Sequence, residues 1–315
     1  MFTRAPRALT AALTALAAAA LTLTAGCAGD GAQTGSPAPS GSAAASFPVT
    51  VGKVTLATRP EKIVSLSPTA TEMLFAIGAG KQVTAVDENS NYPPEAPKGD
   101  LSGFQPNAEA IAAKDPDLVV ISNDLNKIMD QLAQLKIPVY LAPAAVTLDD
   151  TYRQTAELGT LTGHGGEAQA VVTKMKADIA QIVTKVPQRP AKPTYYYELG
   201  PELYSVTSKT FVGSLFAMAG LANIADPADA DGAKGGYPQL SEEFIVKANP
   251  DFVFLADTKC CGQSAATVKA RKGWSSVTAV TKDQIVALDD DIASRWGPRV
   301  VDLLRTIVDS TAQAK

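Results

Sequence analysis

The apolar positions Val171, Met175, Ile179, Ile182 and Val186 are spaced four, four, three and four residues apart, the period of one helix face. Glycines at 165 and 166 precede this run and Pro187 follows it, so the pattern predicts a helix over Gly166–Val186. On its N-terminal side the short apolar runs Lys62–Ser67, Val83–Val86, Leu118–Ile121 and Val139–Leu141 read as buried strands. On its C-terminal side Tyr195–Glu198, Phe252–Leu255 and Ile285–Leu288 read the same way. Between the strands lie stretches of helical period. One opens at Pro68 and carries Met73, Leu74 and Ile77, and others are headed by the capping residues Asn107 and Ser241. A last helix begins at Pro298 and buries Val300, Leu304, Ile307 and Val308.

The two flanks of the central helix are related to each other. Glu109 to Val119 and Glu243 to Val253 both read E-x-I-x-x-x-x-P-D-x-V. A fainter echo pairs Leu74-Phe75-Ala76-Ile77 with Leu215-Phe216-Ala217-Met218. Strands alternating with helices imply right-handed βαβ units and parallel sheets, so the fold class is α/β, with two Rossmann-like lobes joined by one long helix. In such sheets ligands lie beyond the carboxyl ends of the strands. Here those ends are the loops after positions 67, 86, 121, 198, 255 and 288.

The first 26 residues do not belong to this pattern. Arg4 and Arg7 precede an alanine-rich apolar stretch, Ala8 to Thr24, and then Thr24-Ala25-Gly26-Cys27. This start resembles a bacterial lipoprotein signal, in which the cysteine is diacylated and becomes the N-terminus; a plain secretory signal is the alternative. Residues 28–46 are a tether, with 16 of 19 positions Gly, Ala, Ser or Pro and nothing to bury. As a flexible coil such a segment spans about 25 Å. The division expected is therefore a signal over 1–26, a tether over 27–46, an N-terminal lobe over 47–164, a linking helix over 165–187 and a C-terminal lobe over 188–315. Without Arg4 and Arg7 the chain carries 26 basic against 32 acidic residues. That balance, with no basic patch, argues against nucleic acid as a partner.

With these features in place, the chain resembles the substrate-binding lipoproteins of ABC importers, in the helical-backbone class (class III) that handles iron-siderophores, haem and cobalamin. The resemblance rests on Ile63-Val-Ser-Leu-Ser-Pro68 with Thr71-Glu72, Tyr92-Pro-Pro94, the two E-x-I-x-x-x-x-P-D segments, Gly236-Tyr-Pro-Gln-Leu-Ser241 and Gly297-Pro-Arg299. It implies two lobes on one long rigid α-helix and a ligand in the cleft between them. It also implies a lipid anchor at Cys27, a location on the extracytoplasmic face of the cell membrane, and a permease dimer with its ATPase as partner. The binding protein itself would be a monomer without a cofactor, any metal arriving inside the bound chelate.

Candidate residues follow from position and chemistry. Glu109 and Glu243 fall in the first turns of their helices, where a carboxylate favours the helix dipole. The resemblance adds a second role, because both match the acidic residue with which each lobe docks on permease arginines. Arg295 and Trp296 fall at the cleft end of the second sheet, the arginine suited to anionic or amide oxygens and the tryptophan to a flat apolar surface. Trp296 as core packing is the alternative. Tyr92, Phe104 and Tyr237 leave cleft-side loops and could equally plug a lobe surface. Arg299, disfavoured near a helix N-terminus, calls for a carboxylate partner. Cys260 and Cys261 adjoin one another after a strand end; a vicinal disulfide stiffening the ligand wall is the preferred reading, with a metal-binding thiolate pair or unpaired cysteines as alternatives. His164, the sole histidine, reads as exposed punctuation before the linking helix.

One histidine cannot build the multi-histidine cage of a bare zinc or manganese importer. The expected ligand is therefore a preformed metal chelate. Arg295 and the scarcity of cleft tryptophans, which the cobalamin binders of the family carry, lean towards a ferric siderophore, while the spacing of the family motifs leans towards cobalamin; the siderophore is favoured, with cobalamin or haem next. The sequence contains no G-x-S-x-G, H-E-x-x-H or G-x-x-x-x-G-K-[ST] motif. A lipid-anchored doubly wound enzyme, or a redox protein using Cys260 and Cys261, is the alternative to a binding protein.

Overall fold

The computed structural model describes residues 46–312. The lipidation site expected at Cys27, the signal and nearly all of the tether lie outside the described residues. A hairpin of β1 (Val49–Val51) and β2 (Val54–Leu56), absent from the sequence reading, precedes the first lobe. That lobe comprises β3 (Ile63–Leu66), α1 (Pro68–Ala76), β4 (Val83–Val86), α2 (Ala108–Ala112), β5 (Leu118–Ile121), α3 (Ile128–Gln134), β6 (Val139–Leu141) and α4 (Leu148–Thr162). The linking helix α5 (Gly165–Val183) follows. The second lobe comprises β7 (Thr194–Glu198), α6 (Phe211–Met218), β8 (Ala222–Asn223), α7 (Glu242–Ala248), β9 (Phe252–Leu255), α8 (Thr258–Cys261), α9 (Ala265–Lys269), α10 (Thr278–Thr281), β10 (Ile285–Ala287), α11 (Asp290–Ala293) and α12 (Val300–Ala312).

The two sheets have the same topology. The first runs β4-β3-β5-β6 and the second β8-β7-β9-β10, with every neighbouring pair parallel. The repeated motif performs the same structural task in both. Ile111 and Ile245 are fully buried. The Asp117 carboxylate accepts from the backbone N–H of Glu61 and Lys62 at 2.8 and 2.9 Å, at the entry to β3. The Asp251 carboxylate accepts from the Thr194 N–H at 2.8 Å, at the entry to β7. Each Pro-Asp thus ties one central strand to the start of its neighbour.

The strands β3, β5 and β9 are buried on both faces, which is why they read as largely apolar runs. Tyr195 and Tyr197 point into one cluster with Phe216 and Phe254, while Tyr196 points to the other side against Trp274. The helix α5 serves both lobes. Ala168 near its start belongs to the first core, whereas Met175, Ile179 and Ile182 belong to the second. Val171 packs against both. Gly159 on α4 lets α5 approach, because a Cβ there would lie 2.3 Å from the Cβ of Ala168.

Three expectations need correction. The last helix begins at Val300 rather than Pro298, which lies with Arg299 in the turn before it. The linking helix stops at Val183 rather than Val186, with Lys185 and Val186 in a turn. The residue before a proline is pushed out of the helical region, so Pro187 acts further upstream than the apolar spacing suggests. His164 is not exposed punctuation either; its side chain is only 15 % exposed. Its Nε2 lies 2.6 Å from Arg59 Nη2 and 3.0 Å from Gln82 Oε1, and burial together with the Arg59 charge lowers its pKa.

Candidate ligand cleft

A cleft of about 390 Å3 opens where the carboxyl ends of the first sheet face the second lobe. Its first-lobe wall starts with the residue that follows each of three strands: Ser67 after β3, Asp87 after β4 and Ser122 after β5. Ser67 caps α1, its Oγ accepting from the Ala70 N–H at 3.3 Å. Asp87 is buried; its carboxylate accepts from the Asn89 N–H at 2.8 Å and the Ser90 hydroxyl at 3.0 Å. Burial pushes the pKa of this carboxyl up. Thr71 Oγ1 lies 2.8 Å from Ser90 Oγ and donates to Ser65 Oγ at 2.9 Å, so a hydroxyl chain fixes the floor beneath.

The second-lobe wall comes from α11 and the turn after it: Asp291, Ser294, Arg295 and Trp296. Arg295 does line the cleft, yet its guanidinium is mostly occupied. Nη1 donates to Glu72 Oε1 at 2.7 Å, and Nη2 donates to the Asn89 carbonyl, Asn91 Oδ1 and Asp291 Oδ1 at 2.9, 2.8 and 3.1 Å. Glu72 sits on α1 of the first lobe and is buried. It also receives Arg299, whose Nε donates to Oε2 at 2.9 Å and whose Nη2 donates to Oε1. Arg299 thereby finds its carboxylate, and one glutamate clamps two arginines of the opposite lobe.

Trp296 joins the lobes from the apolar side. It packs against both cores, its Nε1 donates to Gln154 Oε1 at 3.0 Å, and its carbonyl accepts from Thr151 Oγ1 at 2.8 Å. It is at once core packing and cleft wall. Phe104 also lines the cleft and is 70 % exposed.

The other aromatic candidates lie elsewhere. Tyr92 borders a neighbouring pocket with Phe75 and Glu72, where Arg299 stacks 4.0 Å from its ring centre. Tyr237 is exposed on the second lobe and is not among the residues lining the cleft. Cys260 and Cys261 are joined in a disulfide on the exposed turn α8, again outside the cleft lining. That turn is held by Asp290, whose carboxylate accepts from the N–H groups of Thr258, Lys259 and Cys260 at 2.8–3.0 Å. Glu109 and Glu243 are exposed in the first turns of α2 and α7, and neither forms an ion pair with another described residue.

Asp87, Ser122, Asn123 and Asp291 were missed as site residues in the sequence. The signal was present for the first two, since each is the first polar residue past a buried strand. A further buried cluster lies at the strand ends of the second lobe. Glu198 is fully buried and accepts from Arg271 Nη1 and Nη2 at 2.6 and 2.5 Å. Beside it the buried Asp257 has neither carboxylate oxygen hydrogen-bonded within the described structure. Burial and the adjacent Glu198 push its pKa up to about 7. Among the described residues, no group of three or more His, Cys, Asp or Glu side chains is arranged to hold a metal ion.

Two parallel-sheet lobes on a shared helix, with a polar-floored cleft between strand ends, define a two-lobed solute-binding protein. The periplasmic binding protein family model matches residues 63–292, and the chain belongs to that family. Its members are substrate-binding transport proteins, so the chain is a binding protein and not an enzyme. It is 30 % identical over 278 residues to the ABC transporter substrate-binding lipoprotein YvrC of Bacillus subtilis, covering 84 % of this chain and 85 % of that one. It is 34 % identical over 272 residues to a cobalamin-binding protein of Halobacterium salinarum, covering 82 % and 73 %. Among solved structures it is similar to the periplasmic vitamin B12 binding protein BtuF of Vibrio cholerae. That match has a TM-score of 0.67 and 25 % identity, covering 81 % of this chain and 99 % of that one.

Proposed function

We propose that this protein is the lipid-anchored, extracytoplasmic receptor of an ABC importer, holding a metal chelate in the inter-lobe cleft and delivering it to a permease. The observation that carries the reading is the cleft itself, lined by the strand ends of the first lobe, where such folds bind ligands, and by α11 and the following turn of the second. Glu109 and Glu243 serve the delivery step. They occupy equivalent helix starts, one per lobe, both exposed and both away from the cleft lining. A two-fold permease can grip such a pair symmetrically. Cys27 supplies the anchor.

The sequence favours a ferric siderophore as ligand, but relatives named for cobalamin binding shift the weight to a corrinoid. We take the corrinoid as first choice and the siderophore as second. The test is paired. Ligand affinity, read by quenching of Trp296 fluorescence, should be unchanged within about threefold when Glu109 and Glu243 are both replaced by Arg, while uptake is abolished, as expected for charges that act only at the permease contact. Affinity falling together with uptake would place these residues in the ligand site and overturn the assignment.

A further inference from the structure

We infer that the cleft selects chelates without net negative charge and rejects anionic ones. The inference rests on the reading of the cleft as a chelate site and narrows the class of chelate it takes.

Three of the residues lining the cleft can carry charge: Asp87, Asp291 and Arg295. The positive charge is already matched, since Arg295 contacts Glu72 at 2.7 Å and Asp291 at 3.1 Å. Its Nη2 is further engaged by the Asn89 carbonyl and Asn91. Lys259, tied to the same wall, is held by Asp289 and Asp291 at 2.8 Å each and does not line the cleft. Asp291 remains ionised: burial opposes its charge, but Lys259, Arg295 and Asn91 hold its carboxyl below the usual range. Asp87 is either a second carboxylate or, when protonated, a neutral donor. Neither state gives the cleft a net positive charge.

The remaining polar lining is neutral and offers donors and acceptors alike, with no further cation. Asn89 and Asn123 present amides, and Ser67, Thr69, Ser122 and Ser294 present hydroxyls. Such a surface can pair with the primary amides around a corrinoid or the ammonium tail of a ferric trihydroxamate, and it supplies no free cation for an anionic oxygen. The oxygens of a ferric tricatecholate and the propionates of haem would have to displace Glu72 or Asp291 from Arg295. Removing a buried arginine from its carboxylates is costly, and bringing like charges together adds to that cost. Phe104 and Trp296 supply flat apolar area to either class, so they do not discriminate.

The test is a set of titrations of the wild-type body with cyanocobalamin, a cationic ferric trihydroxamate, a ferric tricatecholate and haemin at low salt. The tighter of the two non-anionic probes should exceed both anionic probes by at least about tenfold in affinity. Ser294→Lys, at an exposed position on the cleft wall, should raise tricatecholate affinity by about fivefold or more without strengthening cyanocobalamin binding. A tricatecholate or haemin that binds as tightly as the best non-anionic probe overturns the inference while leaving the chelate receptor standing. Failure of all four probes to bind overturns the receptor reading, and this inference with it.

Discussion

Replacing Glu72 by Gln preserves the volume of the side chain but removes the negative charge that faces two arginines of the other lobe. Glu72 is 3 % exposed and Arg295 is 7 % exposed, so neither can recover the lost interaction from water. Breaking a buried ion pair by deleting one partner costs about 3–5 kcal/mol. Arg295 keeps Asp291 at 3.1 Å, and Arg299 keeps some solvent contact and the Tyr92 ring at 4.0 Å. These residual partners place the loss near the lower end, about 3 kcal/mol. For a body of this size that corresponds to a fall of about 5 °C in Tm. Urea unfolding followed by circular dichroism measures the loss directly. Arg299→Met should cost less in the Glu72→Gln background than in the wild type, because the two residues share one interaction. A loss below about 1 kcal/mol, or strict additivity of the two changes, would show that the clamp does not hold the lobes.

Asp257 should make stability pH-dependent. Its folded-state pKa of about 7 lies above the ordinary carboxylate value, so the folded form binds the extra proton. Stability is then fullest below about pH 4 and is lost as the pH rises through about 7. Asp257→Asn removes that loss and should stabilise the protein at pH 8, with little effect at pH 4. Thermal unfolding at the two pH values checks this, and equal shifts at both would refute it. Cys27→Ala should move the protein from the detergent phase into the aqueous phase, since one diacylglycerol with an N-acyl chain gives stable two-chain anchoring. Persistence of the variant in the detergent phase would refute lipidation at Cys27.

What could be read from the sequence was local in sequence. The two E-x-I-x-x-x-x-P-D segments announced the duplicated lobes because helix, turn and strand lie within eleven positions of each other. The second-core face of α5 was legible for the same reason, as Met175, Ile179 and Ile182 recur at helical spacing. Pairings across the chain were not legible. Arg295 meets Glu72 across 223 positions, so the guanidinium assigned to the ligand proved largely occupied. His164 looked isolated because Arg59 and Gln82 lie 105 and 82 positions away. The loops after positions 67, 86 and 121 do line the cleft, but loop direction decides which aromatic enters it. That is why Phe104 lines it while Tyr92 and Tyr237 do not. The polar floor went unnoticed because Asp87 and Ser122 are ordinary loop residues until the sheet brings them together.

The most direct test of the chelate receptor is native mass spectrometry of the protein recovered from cells grown in medium rich in corrinoids and ferric siderophores. One bound ligand per protein is expected, with the mass and isotope pattern of a metal chelate, released when Trp296 and Phe104 are both replaced by Ala. A bound amino acid or sugar instead, or a chelate retained in full by the double variant, would contradict it.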